Sequence, residues 1–170
     1  MLGIELALVL GSALALYMAW AIGANDVANA MGTSVGSGAL TIVGAVLVAG
    51  VLEFVGAFLA GGHVTDTVRK GMLDTALIEL SPDLVLYGML AALASAGTLF
   101  VTATRFGLPV STTHSIVGSV VGLGVVGLGG DAVAWGKVAQ IVASWLTSPL
   151  IGGVLAFLIF NLVRGQVLDR

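Results

Sequence analysis

The sequence predicts an all-α integral membrane protein, and three observations support that fold class. Of the 170 residues, 58% are apolar and 9% are charged, whereas about 25% of residues are charged in soluble domains. The chain contains five long segments that are nearly free of charge. Its 25 glycines are typical of closely packed and broken helices in lipid. Soluble enzymes are therefore excluded, and we expect neither catalytic residues nor a prosthetic group.

The membrane segments are predicted at about 4–22, 39–62, 84–104, 109–129 and 138–163, since about 20 apolar residues cross a bilayer. Residues 63–83 are expected to form a polar loop. These elements make a single domain, residues 1–170, that passes several times through the cell membrane (inner or plasma membrane). Lipid is thus an expected partner, whereas the net charge of −3 argues against nucleic acid.

A polar cluster follows the first segment. We expect that segment to end at Gly23 and a new helix to begin at Asn25. Asp26, Asn29 and Thr33 then lie on one helical face. Their carboxylate, amide and hydroxyl oxygens suit a hard cation such as Na⁺. The alternative is an interfacial loop whose polar residues only cap helices.

Glu53 is the one charged residue in segment 39–62. A carboxylate at membrane depth must be paired, protonated or in contact with water. We interpret Glu53 as a residue of a cation site, a proton site or the substrate path. The alternative is a buried glutamate that bonds to a neighbouring helix.

Segment 109–129 is a poor simple helix because Pro109 starts it and glycines recur along it. It either crosses the membrane or forms a re-entrant hairpin. Pro109 followed by Ser111 and Thr112 predicts a helix start. A helix N-terminus beside several hydroxyls is suited to an oxyanion such as phosphate or sulfate. His114 would donate to the anion or relay a proton; the alternative is that these residues only pack helices together.

The five segments contain no Lys or Arg. A multivalent anion that crossed there would need another source of positive charge. A cation bound at Asp26 would supply it, and the two solutes would then move together. If segment 109–129 crosses the membrane, the basic residues of the loops are balanced between the two sides; if it is re-entrant, they divide four to two. Neither division indicates a strongly preferred orientation.

Four motifs occur in order along nearly the whole chain: 23–30 (GANDVANA), 53–57 (EFVGA), 64–71 (VTDTVRKG) and 108–114 (LPVSTTH). They resemble the signatures of the inorganic phosphate transporter (PiT) family. The resemblance implies a secondary transporter of inorganic phosphate, not an enzyme. It also implies coupling to Na⁺ or H⁺ and alternating access around a site near the bilayer midplane.

Members of that family contain two homologous halves in opposite membrane orientation. Each half supplies an Asn-Asp motif and a Ser-Thr-Thr hairpin to one central site. With the polar cluster after the first segment included, the predicted coupling-cation residues are Asn25, Asp26, Thr33 and Glu53, of which Asn25 and Asp26 are the predicted Na⁺ ligands. The predicted phosphate residues are Ser111, Thr112, Thr113, His114 and Asn29.

The chain resembles only the first half of such a transporter, which is a single transmembrane repeat. We expect it to work as an antiparallel homodimer or together with a homologous second half, and a truncated product is a third explanation. For the function, the alternatives are a sulfate transporter of the same type and a non-transporting membrane subunit.

Overall fold

The computed structural model describes residues 3–73 and 82–168, and within these ranges it is almost entirely helical. The helices are α1 (Ile4–Gly36), α2 (Ile42–Gly71), α3 (Pro82–Arg105), α4 (Thr112–Leu123) and α5 (Trp135–Val163). π-Helical segments extend α4 through Gly124–Leu128 and α5 through Arg164–Leu168. The described residues contain no β-strand beyond one isolated bridge, between Leu73 and Val133. The predicted all-α class is confirmed.

Four of the helical stretches are long and apolar enough to cross a membrane. They are Ile4–Gly36, Ile42–Gly62, Pro82–Arg105 and Trp135–Gln166. The stretch Thr112–Leu128 is apolar but shorter than these four. This agrees with the sequence of segment 109–129, which predicts a poor simple helix. A re-entrant hairpin there stays a prediction.

The expected helix break after residue 22 is wrong. α1 continues without interruption to Gly36 and is 33 residues long. Glycine inside a helix costs about 1 kcal/mol relative to alanine, which weakens a helix but does not by itself end one. Asn25 does not cap a helix either, because its side chain bonds to a different part of the chain. Asp26, Asn29 and Thr33 therefore lie along α1 itself.

The start of the predicted polar loop 63–83 is also wrong, since α2 runs on to Gly71. The apolar part of this helix ends at Gly62, so the polar residues that follow extend the same helix. Hydropathy marks where the apolar stretch ends, whereas the backbone hydrogen bonds of a helix can continue into polar sequence. Residues 74–81 of the predicted loop lie outside the described residues.

The chain divides into two compact units, one up to Ala134 and one from Trp135. In the first unit α1, α3 and α4 pack around a small core of Met18, Ala21, Ala96 and Phe100. The helices approach closely at glycines: a Cβ atom at Gly97 would lie 2.7 Å from Cε1 of Tyr17. The second unit consists of α5 and its π-helical extension, with Pro149 inside the helix.

Candidate functional site

The site begins at the turn between α3 and α4. The amide of Leu108 donates to the carbonyl of Ala103 at 2.8 Å, and the amide of Gly107 donates to the carbonyl of Thr104 at 3.1 Å. This pair of bonds, with Gly107 at φ +66°, is a Schellman motif, which ends a helix with a left-handed glycine. Pro109 follows and prevents the helix from resuming at once. The chain is therefore extended just before α4 starts.

α4 starts as the sequence predicts. Ser111 is its N-cap, and the Ser111 hydroxyl oxygen accepts a hydrogen bond from the amide of His114 at 3.4 Å. The buried hydroxyl of Ser115 donates to the carbonyl of Ser111 at 3.0 Å. The first turn of α4 thus presents the backbone amides of Thr112 and Thr113 and several hydroxyls at the positive end of the helix dipole.

One contact joins the two polar clusters of the sequence. The hydroxyl of Thr112 donates to Oδ2 of Asp26 at 2.6 Å, although the two residues are 86 positions apart. Asp26 is half-buried on α1, and its carboxylate lies against the first turn of α4. A negative charge at a helix N-terminus is favourable, so the carboxylate and the helix start stabilise each other.

Asn25, the neighbour of Asp26, is 5% exposed and bonds to the α3–α4 turn. Its Nδ2 donates to Oγ1 of Thr104 and to the carbonyl of Leu108, both at 3.1 Å. Its Oδ1 accepts from the amide of Val110 at 3.2 Å and from Nδ2 of Asn29 at 3.4 Å. A cavity of about 310 Å³ lies beside these residues, between α1 and the turn.

The other predicted site residues differ in how closely they join this arrangement. Thr113 and His114 are exposed in the first turn of α4, and Asn29 is exposed on α1. Thr33 lies further along α1 and is also exposed. Glu53 is exposed on α2, and its side chain forms no hydrogen bond with the described part of the chain.

Sequence reasoning did not find Thr104. Nothing in the local sequence distinguishes it from Thr102, because its importance arises only when α1 packs against α3. Within the described residues no group of three or more His, Cys, Asp or Glu side chains could hold a metal ion. Asp26 offers one carboxylate and the hydroxyls and amides around it offer neutral oxygens, and oxygen donors suit a hard cation.

Comparisons with known proteins identify the family of the chain. A model of the phosphate transporter family (PHO4) matches residues 22–170. A Pyrococcus abyssi protein named as a candidate phosphate permease is 54% identical over 162 residues, which is 95% of this chain and 40% of that protein. The chloroplastic inorganic phosphate transporter 2-1 of Arabidopsis thaliana is 54% identical over 87% of this chain and 25% of its own length.

Among solved structures, one described as the sodium-dependent phosphate transporter matches with a TM-score of 0.89 and 43% identity. The match covers 96% of this chain and 40% of that one. The chain thus spans less than half the length of these relatives. With a family model that matches most of its residues and four apolar helices, the chain is a multi-pass membrane protein that belongs to the phosphate transporter family.

Proposed function

We propose that this chain forms one half of the site of a cation-coupled transporter of inorganic phosphate. The observation that carries the proposal is the 2.6 Å hydrogen bond from Thr112 to Asp26. It joins a carboxylate that would bind a cation to a helix start that would bind an oxyanion. Opposite charges bound at two sites in direct contact favour each other's binding, which couples the movement of a cation and an anion.

Charge explains why the cation would bind before phosphate. Without a cation, the Asp26 carboxylate already lies against the first turn of α4 and accepts the Thr112 hydroxyl. Phosphate would meet a like charge there. A cation bound to Asp26 neutralises that charge. It also takes the place of the Thr112 hydroxyl as the partner of the carboxylate. The Thr112 hydroxyl then turns to phosphate, together with Ser111, Thr113 and the backbone amides at the start of α4.

We propose Na⁺ as the coupling ion. Asp26 supplies the charge, and the solved relative is described as sodium-dependent. Asn25 was predicted as a second ligand; because its Oδ1 already accepts two hydrogen bonds, direct ligation is assigned to Asp26 in this proposal. Thr33 and Asn29 complete the predicted polar face of α1. In this proposal Thr33 belongs to the cation site and Asn29 to the phosphate site.

Alternating access needs a second half-site that faces the first. A homologous second half or a second, antiparallel copy of this chain would supply it, in the cell membrane, with the site near the bilayer midplane. His114 and Glu53 remain predicted contributors, the first to anion binding and the second to coupling. The chain's share of the site is the contact between α1 and α4.

Uptake of radioactive phosphate into liposomes tests the proposal. Thr112→Val is compared with Thr102→Val, an exposed threonine on α3 that is outside the site. We expect Thr112→Val to raise the half-saturating phosphate concentration about ten- to a hundredfold, since one hydrogen bond to a charged group is lost. Thr102→Val should behave as the parent does.

Uptake by this chain alone supports the homodimer, and uptake only after a homologous second half is added supports the pair. Removal of Na⁺ at constant pH should abolish the uptake; uptake that persists would contradict Na⁺ coupling. Competition by sulfate as strong as by phosphate itself would assign the wider class of tetrahedral oxyanions. If Thr112→Val leaves phosphate affinity unchanged, the phosphate site is not at the start of α4.

A further inference from the structure

We propose that Asn25 and Thr104 are positioning residues that fasten the α3–α4 turn to α1. Their task is to hold the first turn of α4 at hydrogen-bond distance from Asp26. The geometric part of this inference stands on the hydrogen bonds alone, whereas its effect on phosphate affinity rests on the proposed function.

The extended turn leaves backbone groups that no helix can satisfy. The carbonyl of Leu108 needs a donor and the amide of Val110 needs an acceptor, because neither belongs to α3 or α4. A single primary amide supplies both. Asn25 donates through Nδ2 to the first and accepts through Oδ1 from the second, at 3.1 and 3.2 Å. Its side chain therefore pairs with the turn as a neighbouring strand would.

The second Nδ2 hydrogen fixes the rotation of the amide. It is donated to Oγ1 of Thr104 at 3.1 Å, and Thr104 lies in the last turn of α3. Asn25 thus bridges the end of α3 and the extended residues that precede α4. The Asn25 amide itself is 5% exposed, so loss of these partners would leave its own polar atoms with little access to water, which is the costly way to lose a hydrogen bond.

The position of the bridge explains what it controls. Val110 directly precedes the N-cap Ser111, and Thr112 follows. Asn25 and Asp26 are consecutive on α1. The Asn25 side chain fixes the backbone at Val110, two residues before Thr112, whose hydroxyl contacts Asp26. The distance between the Asp26 carboxylate and α4 is therefore set by Asn25 rather than by the flexible hydroxyl of Thr112.

Apolar packing makes the bridge testable without loss of the fold. Val110 and Ile116 pack against the core around Phe100, so the turn remains attached to the unit when the polar bridge is weakened. Removal of the bridge should thus widen the range of positions of the turn rather than unfold the chain. Thr104→Val keeps the shape of the side chain and replaces the hydroxyl, which is the acceptor for Asn25, by a methyl group.

Spin-label distances measure this effect directly. The sequence contains no cysteine, so Ala30→Cys on α1 and Leu108→Cys in the turn provide two unique labelling sites, both exposed. We expect a narrow distance distribution in the parent. Asn25→Asp and Thr104→Val should broaden it, Thr104→Ser should restore it, and the matched control Thr102→Val should leave it unchanged.

Transport or binding supplies the second measurement. Thr104→Val should raise the half-saturating concentrations of Na⁺ and phosphate together, by about fivefold, with little change in the maximal rate, and Thr104→Ser should reverse both shifts. A general loss of fold would instead lower the maximal rate. Distributions that stay narrow in both Asn25→Asp and Thr104→Val would overturn the inference. A broadened distribution with unchanged phosphate affinity would leave the bridge in place and contradict the proposed phosphate site.

Discussion

Two parts of the first unit differ in how many of their side chains are buried or hydrogen-bonded within the chain. Where α1, α3 and α4 meet, the polar groups at the contact have partners within the chain, as Asn25 and Ser115 do, and Phe100 is fully buried. In the part of α2 from Ile42 to Gly62, only Ala45 and Ala49 are buried. Residues 51–60 are exposed throughout, with Glu53 among them.

The difference separates a contact that lies within this chain, between α1 and α4, from the exposed face of α2, which has no partner among the described residues around it. The contact between α1 and α4 is held by this chain's own hydrogen bonds. The Glu53 carboxylate lies near the middle of the apolar stretch Ile42–Gly62, where lipid alone is a costly environment for a charge. We therefore expect protein or water to cover that face of α2 in the working transporter.

The largest effect on stability should come from the core at α1 and α3. Phe100→Ala, at 0% exposure, leaves a cavity and should lower the free energy of unfolding by about 3 kcal/mol. The matched variant Phe58→Ala on α2, at 82% exposure, should change it little. Thermal unfolding in detergent measures both. Equal losses would show that the two regions do not differ in packing.

The next effect concerns the charge at the contact. Asp26→Asn keeps an oxygen that accepts the Thr112 hydroxyl but removes the negative charge that a cation needs. We expect Na⁺-stimulated phosphate uptake to fall about a hundredfold, near the upper end of coupling between two sites. Glu5→Gln, on the same helix and exposed, is the control. Na⁺ stimulation that survives in Asp26→Asn would place the cation site elsewhere.

A smaller effect should follow from the close approach of α1 and α3. A methyl group at Gly97 would meet the Tyr17 ring at 2.7 Å, so Gly97→Ala should cost about 2 kcal/mol through overpacking. Gly56 on α2 has open space around it, and Gly56→Ala should stabilise its helix by up to about 1 kcal/mol. Opposite signs in the unfolding temperature are the expected result, and a shared sign would argue against the contrast between the two helices.

The local part of this architecture could be predicted from the sequence. Apolar stretches of sufficient length predict the long helices, and the Pro-Val-Ser-Thr pattern predicts the start of α4. Both signals lie within a few neighbouring residues. The continuation of α1 past Gly23 could not be predicted in this way, because a glycine and a following asparagine are compatible with either a break or a helix, and packing against α3 decides between them.

The contacts that build the site are not local. Asn25 and Thr104 are 79 positions apart, and no period or spacing connects them. The sequence indicates that Asp26 and Thr112 each suit an ion. That they form one site depends on how α1 packs against the turn before α4. Composition and motif reveal the chemistry of each cluster, whereas their distance is a property of the tertiary structure.

The smallest effect on stability is expected at Glu53. Because its carboxylate has no hydrogen-bond partner in the described part of this chain, Glu53→Gln should change the free energy of unfolding of the isolated chain by about 0.5 kcal/mol or less. A loss above 1 kcal/mol would show that Glu53 is bound within the chain and would remove the contrast with α1. Unchanged stability together with lost phosphate uptake would mean that the carboxylate acts on a partner that α2 meets only in the assembled transporter. Stability and phosphate uptake, measured on this one variant, thus distinguish a residue that stabilises this chain from a residue that contacts a partner half of the transporter.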